Sequence, residues 1–114
     1  MSADDCLFCR IISGEIPASK VGETPDAIAI RDINPQAPYH VLIIPREHIR
    51  SLNETTDAGL LGRLLLFAAG LARDAGYADS GYRVVINTNA DGGQTVFHLH
   101  LHLLAGRHLH WPPG

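Results

Sequence analysis

The feature that most constrains this chain is the run His98-Leu99-His100-Leu101-His102-Leu103-Leu104. Successive side chains of an extended strand point to opposite faces of its sheet, so the histidines line one face and the leucines line the other. Imidazoles titrate near neutral pH, and three aligned rings are costly to protonate together, which makes a purely structural role unfavourable. The run therefore predicts a strand over 96–104 with a buried leucine face and a histidine face that carries chemistry.

The histidine spacing leaves two kinds of site open. Neutral imidazole is a common zinc ligand, so the three rings could hold a metal. They could instead bring a nucleophile and its proton-handling neighbours to one reacting atom. In that case His100 is the expected nucleophile because His98 and His102 flank it, ready to orient it or relay protons. His40 begins another predicted strand, and a hydrogen bond from it to the non-attacking ring nitrogen would fix the tautomer.

Composition excludes several functional classes. A chain of 114 residues that is 46% hydrophobic and 18% charged is expected to form one globular domain over 1–114. The net charge of −3 provides no basic field for binding nucleic acid. No apolar run reaches the roughly 18 residues that span a bilayer, and the amino terminus lacks the pattern of an export signal, so we expect a cytoplasmic protein. In such a chain, Cys6 and Cys9 are more typical of a metal or redox pair than of a disulfide.

Apolar periodicity and turn residues predict an α+β fold. We expect a five-stranded antiparallel meander sheet with one long helix on one face and a short N-terminal helix. The predicted strands are 21–24, 27–31, 40–44, 83–87 and 96–104; the predicted helices are 5–13 and 57–75; loops cover 32–38 and 89–93.

The apolar residues of the predicted long helix indicate contact with a second subunit as well as with the core. Thr55 or Thr56 is the expected N-cap, and Gly76 is the expected end. Its apolar arc is wider than packing against one sheet requires, which favours a homodimer. Gly62 and Gly70 would permit close approach of a second backbone, unless they are simply poor helix formers. The predicted core stripe comprises Leu61, Leu64, Leu65, Ala68, Leu71, Ala72 and Ala75, extended by Leu60 and Phe67.

The alternating histidines resemble the signature of the histidine triad superfamily of nucleotide hydrolases and transferases. Further segments, in the same order, resemble its Hint branch, the nucleoside phosphoramidate hydrolases, over essentially the whole chain. These segments are Phe8, 11–17, 31–38, His40 with 41–45, Asn87, 91–95 and 106–114.

This resemblance implies a HIT-like fold and hydrolysis of the P–N bond in adenosine or guanosine 5′-phosphoramidates, which releases AMP or GMP and an amine. It implies that His100 attacks the α-phosphorus and forms a covalent nucleotidyl-histidine, which water then cleaves. His40 would orient the nucleophile, and His102 would contact the phosphate. Two alternatives stay open: a dinucleoside polyphosphate hydrolase of a sister branch, against which the Trp-Pro-Pro-Gly tail argues, and a non-catalytic zinc-binding scaffold.

The resemblance also implies a purine nucleotide pocket. Asp32 occupies the position that takes the ribose hydroxyls, and Asn87 resembles the contact to the phosphate or leaving group. The turn residues Gly93 and Gln94 would present free backbone N–H groups to an anion, with the Thr95 hydroxyl beside them. Members of this branch usually carry Ser where Thr95 stands. The base would lie in an apolar slot that discriminates weakly between adenine and guanine. The slot residues are Phe8, Ile11, Ile16, Ile33 and Leu42; Trp111, in the tail, would dock beside the active site of a second subunit.

Zinc-carrying relatives in the superfamily share a CxxC pair, a histidine at the place of His48, and the first triad histidine. The resemblance thus implies that Cys6, Cys9, His48 and His98 form a closed Cys₂His₂ tetrahedron, which is structural because it leaves no open position. His98 would then be a ligand and not a proton relay. Many Hint-branch members lack the cysteines, so we expect no cofactor to be required for catalysis.

Overall fold

The computed structural model describes residues 5–114, so residues 1–4 of the predicted domain lie outside it. The chain folds as the α+β class predicts, with five antiparallel strands and helices on both faces of the sheet. The elements are α1 Leu7–Ile12, β1 Lys20–Glu23, β2 Ala27–Arg31, β3 Tyr39–Pro45, a 3₁₀ turn Leu52–Glu54, α2 Ala58–Asp74, β4 Tyr82–Val85, α3 Asn89–Gly92 and β5 Leu101–Ala105.

The strand order β1-β2-β3-β5-β4 corrects the predicted meander. The first three strands follow one another across the sheet, but β5 lies between β3 and β4 and pairs antiparallel with both. The reason is the connection after β3. The chain crosses the sheet through the 17-residue α2, reaches the outer edge as β4, and then returns to fill the place beside β3.

The start of α2 differs from the prediction, and its end agrees with it. Asp57 is the N-cap, because its Oδ1 accepts the backbone N–H of Leu60 at 3.0 Å. Thr55 lies before the cap, where its hydroxyl accepts the backbone N–H of Asp57. A carboxylate is the better cap since it also places negative charge at the positive end of the helix. Gly76 follows the helix with φ of +89°, as expected for a C-terminal glycine.

The leucine face of the predicted strand is confirmed. Leu99, Leu101 and Leu103 are buried in the core between the sheet and α2. The opposite face of the sheet packs against α1 in a second, smaller core that includes Phe8 and Leu42. The alternation of apolar residues along the strands therefore predicts correctly which side chains enter the core on each face of the sheet.

The histidine segment is less regular than predicted. Strand β5 begins at Leu101, so His98 and His100 precede it in a bent segment and only His102 lies in the strand. The backbone leaves the ladder because the N–H of Leu99 donates to the carbonyl of Ile49. His98 and His100 nevertheless share one side, where both rings make T-shaped contacts with Phe8.

The outer face of α2 carries exposed apolar side chains. Leu65, predicted for the core stripe, is 47% exposed, and Leu66 is 73% exposed. Leu65 lies about 80° from the centre of the stripe that is buried, which is formed by Leu60, Leu64, Ala68 and Ala72. A Cβ added at Gly62 would meet no atom of the described residues within 4 Å apart from its chain neighbours and the backbone of its own helix.

None of the helices formed by residues 5–114 is long and apolar enough to cross a membrane.

Candidate functional site

A cleft of about 600 Å³ lies between α1 and the histidine side of the sheet. It is largely apolar, with a few polar groups at one end, as is typical of small-molecule sites. The predicted site residues that line it are Phe8, Ile11, Ile16, Asp32, Ile33, Leu42, Asn87, Gly93, Thr95, His100 and His102.

Sequence reasoning missed several lining residues. Ile30 pairs with Leu42 across β2 and β3, so their side chains share a face and the strand register could have indicated it. Val96, Leu7 and the connecting segment 17–19 gave no comparable signal.

His100 is held in one tautomer by the backbone. Its Nδ1 lies 2.7 Å from the carbonyl oxygen of His98 and must donate its proton there, since a carbonyl only accepts. Burial lowers the pKa of His100 below the ordinary value, which favours the neutral ring. Nε2 of His100 therefore carries the lone pair, on a ring that lines the cleft.

A second chain of hydrogen bonds fixes the tautomers of His40 and His102. The backbone N–H of Gln36 donates to Nδ1 of His40 at 3.0 Å, so the proton of neutral His40 is on Nε2. That atom lies 2.9 Å from Nδ1 of His102 and 3.3 Å from Oδ2 of Asp32. His102 accepts through Nδ1 and consequently carries its own proton on Nε2.

This network corrects the expectation that His40 orients His100. Strand register explains the difference, because His102 lies opposite Leu42 and the ring of His40 on β3 reaches it diagonally. Burial lowers the pKa of His40, and burial with the neighbouring histidines lowers the pKa of His102 to about 4. Both rings are therefore neutral at pH 7.

Asp32, His40 and His102 also bring possible ligand atoms together, yet their hydrogen bonds oppose metal binding. A metal on Nε2 of His40 would require a lone pair there and a proton on Nδ1. The N–H of Gln36 occupies Nδ1 as a donor, which excludes that tautomer.

Cys6, Cys9, His48 and His98 form a group that could hold a metal ion. Nδ1 of His98 lies 3.3 Å from Sγ of Cys6, 3.5 Å from Sγ of Cys9 and 3.2 Å from Nδ1 of His48. Sγ of Cys9 lies 3.3 Å from Nδ1 of His48. Tetrahedral zinc with its usual bond lengths separates nitrogen and sulfur donors by about 3.3 to 3.8 Å. The four measured separations lie at or close to the short end of this range, and all four ligand atoms lie within 4.8 Å of one another, so the group is compatible with one tetrahedral zinc ion.

The surroundings support this arrangement of donors. Nε2 of His98 donates to the carbonyl of Pro45 at 2.8 Å, which leaves Nδ1 free to bind a metal. The backbone N–H of Cys9 donates to Sγ of Cys6, and neither cysteine forms a disulfide. His98 is fully buried and absent from the cleft lining, so its ring has no path for relaying protons to a substrate.

The predicted anion cradle differs in detail. Residues 89–92 form the short helix α3, whose end uses the N–H groups of Gly93 and Gln94 for bonds to Ala90 and Asn89. The side chain of Gln94 is buried and binds backbone groups of Asn89, Arg50 and Val96. Gln94 thus fixes the loop and leaves Thr95 to face the cleft.

Trp111 does not enter the cleft of its own chain and is 82% exposed. The tail before it runs beside β4, where the guanidinium of Arg83 donates to the carbonyls of Leu109 and His110.

The sequence matches the HIT domain family over residues 13–109. An uncharacterized HIT-like protein of Synechocystis sp. is 52% identical over 114 residues, covering 98% of this chain and 99% of that protein. The crystal structure of a HIT family hydrolase from Legionella pneumophila is 52% identical with a TM-score of 0.94, covering 96% of this chain and 100% of that one. The histidine triad nucleotide-binding protein from Candida albicans is 37% identical with a TM-score of 0.79, covering 87% and 73%.

Proposed function

The chain belongs to the HIT family, and we propose that it is a nucleotide-binding hydrolase that cleaves the P–N bond of adenosine or guanosine 5′-phosphoramidates. One observation carries the proposal: His100 presents an unprotonated Nε2 on a cleft that also holds His102. A neutral imidazole whose other nitrogen is anchored is a competent nucleophile at pH 7. Relatives described as a HIT family hydrolase and a nucleotide-binding protein support this class of activity.

The reaction is a double displacement at phosphorus. Nε2 of His100 bonds to the α-phosphorus, and the leaving nitrogen departs with the electron pair of the P–N bond and takes a proton from water. Water then attacks the same phosphorus, the bond to His100 breaks, and AMP or GMP leaves. The net change adds one water across the P–N bond, and splitting a hard step into two easier ones accelerates it.

The polar end of the cleft matches the charge of the substrate. His102 presents Nε2–H, because its Nδ1 accepts from His40, and this donor would bind a phosphate oxygen. Thr95 and Asn87 add neutral donors. The half-buried Asp32 is the acceptor for the ribose hydroxyls.

The apolar end of the cleft suits a purine base. Phe8, Ile11 and Ile16 form one side and Leu42 the floor, while the fully exposed Ile33 lies at the mouth. Covering Ile33 on binding would remove apolar area from water. Aliphatic walls offer few hydrogen bonds, so we expect loose selection between adenine and guanine.

We assign zinc to Cys6, Cys9, His48 and His98. Two thiolates and two imidazoles complete its coordination, so the metal would stabilise the fold and leave no position for substrate. Two neighbouring cysteines that form no disulfide suit a reducing compartment, which favours the cytoplasm.

A homodimer is the assembly that best accounts for the exposed apolar surface. Leu65 and Leu66 lie on the outer face of α2, and β4 is an edge strand of the sheet. Pairing through both would cover the leucines and continue the sheet into a second subunit.

The test is a substrate panel with a trapping step. We expect adenosine and guanosine phosphoramidates to be hydrolysed faster than diadenosine polyphosphates, and quenching in alkaline denaturant, which preserves the P–N bond to imidazole, to leave labelled nucleotide on His100. His100→Gly should lose both signals, whereas His108→Ala, in the exposed tail, should keep them. Faster cleavage of diadenosine polyphosphates would assign the protein to the sister branch. A folded protein without turnover on any member of the panel would favour the zinc scaffold.

A further inference from the structure

His98 connects the candidate metal site to the nucleophile through two different parts of one residue. Its ring contacts Cys6, Cys9 and His48, and its backbone carbonyl accepts the Nδ1–H of His100. The group that sets the tautomer of His100 is therefore part of a metal ligand.

The peptide group between His98 and Leu99 is held from both sides. Its N–H donates to the carbonyl of Ile49 at 2.6 Å, and its C=O accepts from His100 at 2.7 Å. Ile49 directly follows His48, which contributes the fourth donor of the metal site. A metal that ties His48 to His98 thus also fixes the plane of the peptide that orients His100.

Helix α1 provides a second connection. Phe8 lies between Cys6 and Cys9 in sequence, and its ring stands edge-on to His98 and His100, with centroids 5.9 Å and 5.0 Å away. Anchoring both cysteines to His98 therefore holds Phe8 against the ring that must attack phosphorus.

We propose that the Cys6–Cys9–His48–His98 site positions the nucleophile. When the four donors are held together, the His98 carbonyl keeps His100 in the Nδ1–H tautomer. When they are not, the peptide is free to turn, and His100 populates the Nε2–H tautomer, in which the attacking nitrogen is blocked. Cys9 and His48 are positioning residues that act through His98. The inference rests on the proposed function for the role of His100 as the nucleophile.

Nitrogen-15 NMR of the histidine rings tests the proposal without substrate. In the zinc-loaded protein we expect His100 to be protonated on Nδ1 alone. Cys9→Ser and His48→Gln should lose zinc by elemental analysis and give His100 a mixture of tautomers. Single-turnover nucleotidyl transfer should slow about tenfold or more, with the dissociation constant for AMP changed less than threefold.

Two matched variants separate positioning from general destabilisation. His48→Cys keeps a zinc ligand near the same place, so it should retain zinc and the Nδ1–H tautomer of His100. Leu64→Ala removes buried contacts in the other core, so it should lower the melting temperature and leave the tautomer unchanged.

The proposal is overturned if His100 stays wholly in the Nδ1–H form in zinc-free His48→Gln, or if Leu64→Ala shifts the tautomer as much. Where a ligand variant does not fold, the wild-type protein treated with a chelator replaces it, with the same expected result. A wild-type protein that is inactive on phosphoramidates would refute the proposed function alone, because the ring spectra are recorded without substrate.

Discussion

Nε2 of His40 lies 2.9 Å from Nδ1 of His102, and this contact sets which nitrogen of His102 carries a proton. The direction of the bond follows from the N–H of Gln36, which occupies the other nitrogen of His40. A backbone donor in the loop before β3 thereby determines that His102 presents Nε2–H. The orientation of His100 comes separately, from the carbonyl of His98. The two histidines at the cleft thus present opposite groups, a lone pair on Nε2 of His100 and an N–H on Nε2 of His102, which suit the proposed nucleophile and the proposed phosphate contact.

The pH profile should report the protonation of His102. Burial, together with the neighbouring His100 and His40, lowers the pKa of His102 to about 4, with Asp32 opposing the shift. Above that value His102 is neutral and accepts the His40 proton; below it both nitrogens are protonated and the hydrogen bond is lost. Burial also lowers the pKa values of His40 and His100 below the ordinary histidine value, so we expect kcat/KM for a phosphoramidate to hold as the pH falls through 6.5 and to be lost by about pH 4. A midpoint near 6.5 in folded protein would contradict the buried network.

Replacement of His100 should separate chemistry from folding. His100→Gly removes the attacking nitrogen and leaves Leu99 and Leu101 in the core, so the circular dichroism spectrum should be unchanged. Turnover should fall on the order of 10⁴-fold, as expected for loss of a covalent nucleophile. Retention of more than a tenth of the activity would disprove the assignment.

Replacement of Gln94 should affect stability first. Gln94→Ala leaves the N–H of Asn89 and the carbonyl of Arg50 without the partners that the buried amide provides. An intramolecular hydrogen bond contributes about 0.5 to 1.5 kcal/mol, so urea unfolding should shift by that order for each bond lost. Thr95→Ala, at the neighbouring position, is the matched control and should change kcat with little loss of stability. Equal effects of the two variants on unfolding would contradict the structural role of Gln94.

The alternation of apolar and polar residues in the sequence correctly predicted the features of the structure that depend on it. The leucine face, the cleft lining and the grouping of Cys6 with His48 follow from alternation or from resemblance. The position of β5 between β3 and β4 could not be predicted from the sequence, because a chain that crosses the sheet through α2 can place either β4 or β5 next to β3. The partner of His40 also required the register between β3 and β5, which no local pattern contains. Gln94 was predicted to offer its backbone N–H to an anion, but that group bonds to the carbonyl of Asn89 because residues 89–92, predicted as a loop, form the short helix α3.

The last predictions concern the proposed homodimer. Leu66 is 73% exposed, so Leu66→Glu should leave the isolated chain folded and place an unpaired charge in any interface formed by α2. Sedimentation should give about twice the 12.3 kDa of the chain for the wild type and the single mass for the variant. The Leu52→Glu variant, which changes a partly exposed leucine elsewhere, should remain dimeric.

Deletion of 109–114 should also keep the dimer but change selectivity between bulky and small amines, since Trp111 is expected beside the cleft of the second subunit. A wild-type mass of 12.3 kDa would exclude the dimer, and unchanged amine selectivity after the deletion would exclude the role of Trp111.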